Sequence, residues 1–288
     1  MNLKRICMLL LLLMFWTSAQ ATSFSQGLLW KIERTGLAPS YVFGTMHTED
    51  VRVLNLPKPV QGVFDGSQTY VMEAVLDEQA LLAMSSAMLF SDGRLLKDVV
   101  PAPTYAKAVA AMTDYGLPEA AVQLMQPWAL AITLSTPKPK TGMVLDLSLM
   151  QQAIAQGKQT AGLETAQEQV GIFASLPMQE QVFLLEDVLK QLPGIQKMFA
   201  ELHKTYLARD LAGLERMNAA QQALGNAKLG KKLTTQLIEQ RNQRMVERME
   251  PYFKTGKTFI AIGALHLPGQ AGVLNLLVQK GYRVSVVY

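Results

Sequence analysis

The sequence predicts an α/β (α+β) fold: a mixed central sheet flanked by helices, with a helical insertion in the middle of the chain. Three features predict it. Short aliphatic and aromatic runs of strand type gather toward the two ends of the chain. The middle shows helical periodicity punctuated by prolines. The C-terminus closes on a strand–loop–helix–strand unit, which favours a parallel pairing with a crossover.

Taken in order, the chain opens with three blocks. Lys4 and Arg5 are a short positive segment, Ile6 to Trp16 is almost wholly apolar, and Ala19-Gln20-Ala21 is a small-x-small cleavage pattern. This order predicts a signal peptide over residues 1–21 and a single domain over 22–288. The apolar block is shorter than the ~20 residues a membrane span requires. Cys7 stands at the start of that block, whereas a lipidated cysteine follows its end. Removal of the leader takes away Lys4, Arg5 and the one cysteine, leaving 25 Lys+Arg against 23 Asp+Glu. A balance so near neutrality, with no dense basic cluster, argues against nucleic acid. Without cysteine the remaining chain has no disulfide, thiolate metal site or cysteine nucleophile. The expected location is across the inner membrane, in the periplasm, with no membrane association after cleavage.

Gly27 to Ile32 and Ser40 to Met46 read as strands joined by a turn containing Gly36 and Pro39, hence a hairpin. Pro57 opens a short helix, Thr69 to Leu76 reads as a third strand, and Asp77 caps a helix from Glu78 to Phe90. Helices are expected from Pro103, Pro118 and Pro127, because proline is tolerated in a first turn. Thr136 to Gly142 is a loop, Leu145 to Ala155 a helix and Gln159 to Leu163 a strand. Long helical patterns run from Gln167 to about Met249, with breaks near Pro177, Pro193 and Gly225. Thr258 to Ile262 is a buried-type strand, Gln270 to Gln279 a helix and Tyr282 to Tyr288 the last strand.

Two of the three histidines share one setting. Tyr41-Val42-Phe43 runs into Gly44-Thr45-Met46-His47, and Phe259-Ile260-Ala261-Ile262 into Gly263-Ala264-Leu265-His266. Ligands of α/β sheets collect beyond the carboxyl ends of strands. Glycine there allows close approach, and a histidine three residues on can bind metal or move a proton. One such histidine is ordinarily structural; the repetition points to a shared site. Glu73 interrupts an apolar strand, which is costly unless the charge is paired, bound to a cation or turned to solvent on an edge strand. Glu164 follows a strand and precedes a helix, where a carboxylate also suits the helix dipole. Asp146 reads equally as a helix cap. Arg241 and Asn242 lie on a charged helix with Arg244, Glu247 and Arg248, which reads as a solvated face of i,i+3 and i,i+4 pairs. His203 reads as an exposed helical residue without a role. P-loop, Gly-x-Gly-x-x-Gly, Gly-x-Ser-x-Gly and His-Glu-x-x-His patterns are absent.

Gly44-Thr45-Met46-His47, Glu73, Gly162-Leu163-Glu164-Thr165-Ala166-Gln167-Glu168-Gln169, Arg241-Asn242 and Gly263-Ala264-Leu265-His266 occur in the order seen in the TraB/GumN-like family. The chain resembles that family over nearly its whole length beyond the leader. More distantly it is similar to TIKI-type proteases and to erythromycin-esterase and ChaN-like proteins. The resemblance implies a metal-dependent hydrolase acting on a peptide, amide or ester bond of a peptide or small-molecule substrate. It implies His47, Glu73 and His266 as ligands of a divalent metal (Zn, Mn or Co), with Glu164 a fourth ligand or general base. Arg241 is then expected to stabilise an oxyanion and Asn242 to orient substrate. Two alternatives remain at this point. One is an esterase-like hydrolase without metal, with His47 as general base. The other is a periplasmic protein that binds or inhibits a peptide without turning it over.

Overall fold

The computed structural model describes residues 24–75 and 77–288; the expected leader, with Lys4, Arg5 and Cys7, lies outside them. One sheet of six strands organises the fold, in the order β4-β3-β5-β2-β1-β6. The strands are β1 (Leu29–Glu33), β2 (Ser40–Thr45), β3 (Thr69–Ala74), β4 (Gln159–Glu164), β5 (Thr258–Gly263) and β6 (Arg283–Val286). β1 and β2 form the expected antiparallel hairpin, with Gly36 at φ 83° in the turn. β2, β5, β3 and β4 are mutually parallel neighbours.

The C-terminal unit departs from expectation. β6 does not pair with β5; it crosses β2 and β1 and pairs antiparallel with β1 at the far edge. It runs in the same direction as β5, but β5 already has both neighbours filled by β2 and β3. Strand β5 is buried along Thr258–Ile262, as befits a central parallel strand covered on both faces. Phe259 packs edge-on against Phe64 with ring centroids 5.2 Å apart, and Tyr70 packs on Phe64 at 5.8 Å. Burying each such side chain contributes about 1.5–3 kcal/mol.

The helical middle carries its own hydrophobic cluster, built from Leu96, Met112, Trp128, Leu130, Leu134 and Leu185 among others. The helices Leu145–Ala155 and Pro127–Leu134 have the expected bounds. The long helical stretch has one break that no proline or glycine marks. Arg209 adopts φ 60°, and Asp210 then caps Leu211–Ala223 by accepting from Gly213 N. A π-helical turn, Thr235–Glu239, leads into the helix Gln240–Thr255, which continues through Pro251. Among the described residues, no helix is long and apolar enough to cross a membrane.

Candidate functional site

The four parallel strands bring the expected residues to one rim. Glu164 ends β4, Glu73 lies one residue before the end of β3, and the two Gly-x-x-His segments leave β5 and β2. Thr45 is in register with Gly263, so the two loops depart side by side. The glycines have separate steric reasons. A Cβ on Gly44 would lie 2.7 Å from Leu267 Cδ1 and 3.1 Å from Ala264 Cα, so Gly44 admits the second loop against the first strand. A Cβ on Gly263 would come 3.3 Å from Glu73 Oε1, and the Gly263 N–H donates to that same oxygen at 2.6 Å.

Glu73 is therefore on an interior strand, with its charge compensated rather than turned to solvent. Its Oε2 accepts from Arg241 Nη2 at 2.6 Å and from Gln169 Nε2 at 3.2 Å. Burial pushes its carboxyl up, but His266, Arg241, the Gly263 N–H and His47 outweigh burial and hold it at about 2. Glu164, whose side chain has no exposed surface, accepts from Arg241 Nε at 2.8 Å and from Arg244 Nη2 at 3.0 Å. It stands behind Arg241 with both oxygens holding guanidiniums. In this arrangement it fixes Arg241 instead of facing a reacting group as a fourth ligand or base. Arg241 spends Nη1 on Leu237 O as well, and its side chain is 10% exposed.

Expectation and structure differ over the arginine helix. Arg241, Arg244 and Arg248 do not form a solvated face of intrahelical pairs; they reach across to Glu73, Glu164 and Glu168 on and after strands β3 and β4. Asn242 is wholly buried, with both side-chain polar atoms turned to protein partners. Its Nδ2 donates to Ala271 O at 2.7 Å, which turns Oδ1 toward His266 Nδ1 at 2.6 Å. It orients His266.

That contact sets the tautomer. A carbonyl oxygen accepts, so His266 Nδ1 carries the proton. Burial holds the ring down at about 4, so it is neutral near pH 7 and Nε2 bears a lone pair. This Nε2 faces Glu73 Oε1 at 3.7 Å. Two acceptors facing each other favour a proton, a water or a cation between them. His47 is anchored in the same sense. Its Nδ1 lies 2.8 Å from Asp146 Oδ2, while Asp146 Oδ1 accepts from Thr45 Oγ1 at 2.8 Å. The Asp146 contact raises His47 to about 9 despite the opposing effect of desolvation. Both rings thus have Nδ1 engaged by an outer partner, the pattern that orients metal-binding histidines. Only His266 Nε2 bears a lone pair near pH 7; His47, held at about 9, carries a proton on Nε2 that a metal would have to displace.

The donor set fits a divalent metal in kind: two imidazole nitrogens and a carboxylate oxygen. It is not gathered. Among the described residues, no three His, Cys, Asp or Glu side chains lie together at ligand spacing. The His47 side chain is 65% exposed and swung to Asp146, while Glu73 is turned to Arg241 and the Gly263 N–H. The two histidines also differ in burial: His47 is at the surface, His266 is 5% exposed.

Several contributors were not singled out from sequence. Asp146 is 7% exposed in the first turn of its helix and does not cap it; Val144 occupies the N-cap position, without a side-chain hydrogen bond. A lone acid among Leu145, Leu147 and Leu149 was the available signal. Arg244 gave none, because its partner Glu164 is eighty residues away in the chain. His203 is not an exposed helical residue: its side chain is 17% exposed and its Nε2 lies 2.7 Å from Thr48 Oγ1.

Comparison with known proteins bears on this arrangement. The chain is 25% identical over 316 residues to the Danio rerio protein named Metalloprotease TIKI1, covering 89% of this chain and 62% of that protein. It is 26% identical over 317 residues to Metalloprotease TIKI1 of Homo sapiens, covering 89% of this chain and 61% of that protein. It thus spans less than two thirds of the length of these relatives. No solved structure matches it. The TraB/PrgY/gumN family matches residues 28–286, spanning all six strands and both Gly-x-x-His loops, and the chain belongs to that family.

Proposed function

We propose that this chain is an exported, metal-dependent hydrolase of peptide bonds, with His47, Glu73 and His266 as its metal-binding residues. The observation that carries the reading is the facing pair His266 Nε2 and Glu73 Oε1, 3.7 Å apart, beside a second histidine whose Nδ1 is tied to Asp146 and whose Nε2 would give up its proton to a metal. The names of the similar TIKI proteins support the same chemistry. A divalent ion at this position (Zn, Mn or Co) would polarise the scissile carbonyl and acidify a water. The chain's own residues do the holding. Asn242 and Asp146 fix the two rings, Arg241 and the Gly263 N–H fix Glu73, and Glu164 with Arg244 fixes Arg241. The signal peptide expected over residues 1–21 supports an activity outside the cytoplasm, and peptides are the substrates we infer.

One observation favours a second reading. Glu73 is already neutralised by Arg241, so the site is electrostatically balanced without a cation. A hydrolase that uses His47, aligned by Asp146, as general base would need no cation, and its turnover would rise toward pH 9 as the ring loses its proton. Metal analysis of the purified protein, joined to a peptide-library digest before and after chelation, separates the two. Stoichiometric metal with turnover lost to chelator supports the metallohydrolase. Turnover that survives chelation would replace it with the metal-free reading, and no turnover at all would leave a binding protein.

A further inference from the structure

The helix Ile195–Leu207 carries His203 and Tyr206 three residues apart, hence on one face. Tyr206 Oη donates to Gly44 O at 2.8 Å in buried surroundings. His203 Nε2 lies 2.7 Å from Thr48 Oγ1. Gly44 and Thr48 are the two ends of the segment that contains His47, so one helix grips the first Gly-x-x-His loop on both sides of its histidine. The contacts have a consistent polarity. The Asp50 N–H donates to Thr48 Oγ1 at 3.2 Å, leaving the hydroxyl proton for His203 Nε2. His203 Nδ1 is 3.5 Å from Asp50 Oδ2, on the side where its own proton belongs. Phe199, one turn earlier, sets its ring across His203 with centroids 6.0 Å apart.

Loop two has no need of such a grip. His266 is buried and tied by Asn242, and its loop packs into the space Gly44 leaves. His47 is exposed and touches Asp146, so its backbone must be held from elsewhere. The hydroxyl–imidazole–carboxylate chain of Thr48, His203 and Asp50 also has the order of a nucleophilic relay. However, Thr48 is 8% exposed, and its oxygen is occupied by the Asp50 N–H. The geometry serves holding.

We propose that His203 and Tyr206 are positioning residues for His47, acting as a clamp on the loop from Gly44 to Thr48. This rests on the proposed function, because positioning matters only if His47 works at the site. The test uses Tyr206→Phe, which removes one hydroxyl, together with His203→Leu and the conservative His203→Gln, whose amide can still meet Thr48. Amide hydrogen exchange is followed at residues 45–48 and, as internal control, at 263–266. Zinc affinity and peptide turnover are measured on the same proteins. Exchange should rise at 45–48 alone in Tyr206→Phe and His203→Leu. Zinc affinity should fall roughly tenfold, the lower end for partners outside the ligand shell. The rate constant kcat should fall with KM little changed, and His203→Gln should rescue both relative to His203→Leu. Unchanged exchange in both variants would overturn the clamp whatever zinc does. Raised exchange with unmoved zinc affinity and turnover would make the grip merely structural, and overturn it too. Failure of the wild-type protein to bind zinc would count against the metal reading instead; exchange and turnover would then decide the clamp.

Discussion

Replacing Arg241 by leucine tests the charge balance on which the site stands. Arg241 spans two carboxylates, at 2.6 Å from Glu73 and 2.8 Å from Glu164. Breaking a buried ion pair costs about 3–5 kcal/mol, because it strands a charge. Here Glu164 keeps Arg244 and Gln169, whereas Glu73 keeps the Gly263 N–H, Gln169 and the neighbouring His266 and His47 rings but loses its one guanidinium. The lower end, about 3 kcal/mol, is therefore expected, with Glu73 the stranded group. For a chain of this size that lowers Tm by roughly 6 °C. Urea and thermal unfolding of the metal-free protein near neutral pH measure it. Adding Glu73→Gln removes the stranded charge and should restore about 2 kcal/mol. Added zinc should raise Tm more in Arg241→Leu than in the wild type, since a cation there replaces the lost guanidinium. The pH dependence has a definite sign. The Glu73 carboxyl is held below its ordinary 4.5, at about 2, so its stabilisation is whole above about 4.5 and is lost as pH falls toward 2. Arg241→Leu should flatten that acid limb. A variant within 1 kcal/mol of wild type, or a double mutant no better than Arg241→Leu alone, would refute the reasoning.

Other measurements bear on separate parts of the account. Protein expressed with its native leader should have the intact mass of a chain beginning at Thr22; a chain retaining Met1 to Ala21 would exclude cleavage there. His47→Ala and His266→Ala should each cost about 1–3 kcal/mol, the first by stranding the buried Asp146 Oδ2 and the second by stranding Asn242 Oδ1. Both should abolish turnover, and the double mutant should be little worse than either in a peptide assay; a fully active His266→Ala would remove it from the site. Chelation should lower the wild-type Tm and leave Glu73→Gln unmoved; equal shifts in both would take Glu73 out of the ligand set. Asp50 is held at about 2, from 3.8, by hydrogen bonds from Arg52. Its contribution is whole above 3.8 and lost below, so Asp50→Asn should flatten acid unfolding between those values by under about 1 kcal/mol.

The sequence by itself determined which segments are strands, and it singled out the two Gly-x-x-His loops and Glu73. The reason is local: apolar runs, turn residues and a charge inside a strand are written in consecutive residues. It also determined where the helices of the middle begin, because proline acts within one turn of itself. The break at Arg209 escaped, since nothing local marks a non-glycine residue at φ 60°. What joins distant segments was decided only by the tertiary structure. Two strands, β2 and β1, separate β6 from β5, because β2 and β3 already occupy both edges of β5. Arg241, Arg244 and Arg248 look like a solvated face until strands β3 and β4 bring carboxylates up to them. Asn242 reads as a substrate contact until its burial and its two partners make it the residue that orients His266. Asp146 and His203 became visible only as partners of the loop around His47, more than ninety residues away in each case. Side-chain roles at this rim depend on which carboxylate, amide or guanidinium the fold places within hydrogen-bond reach, and no run of neighbouring residues records that.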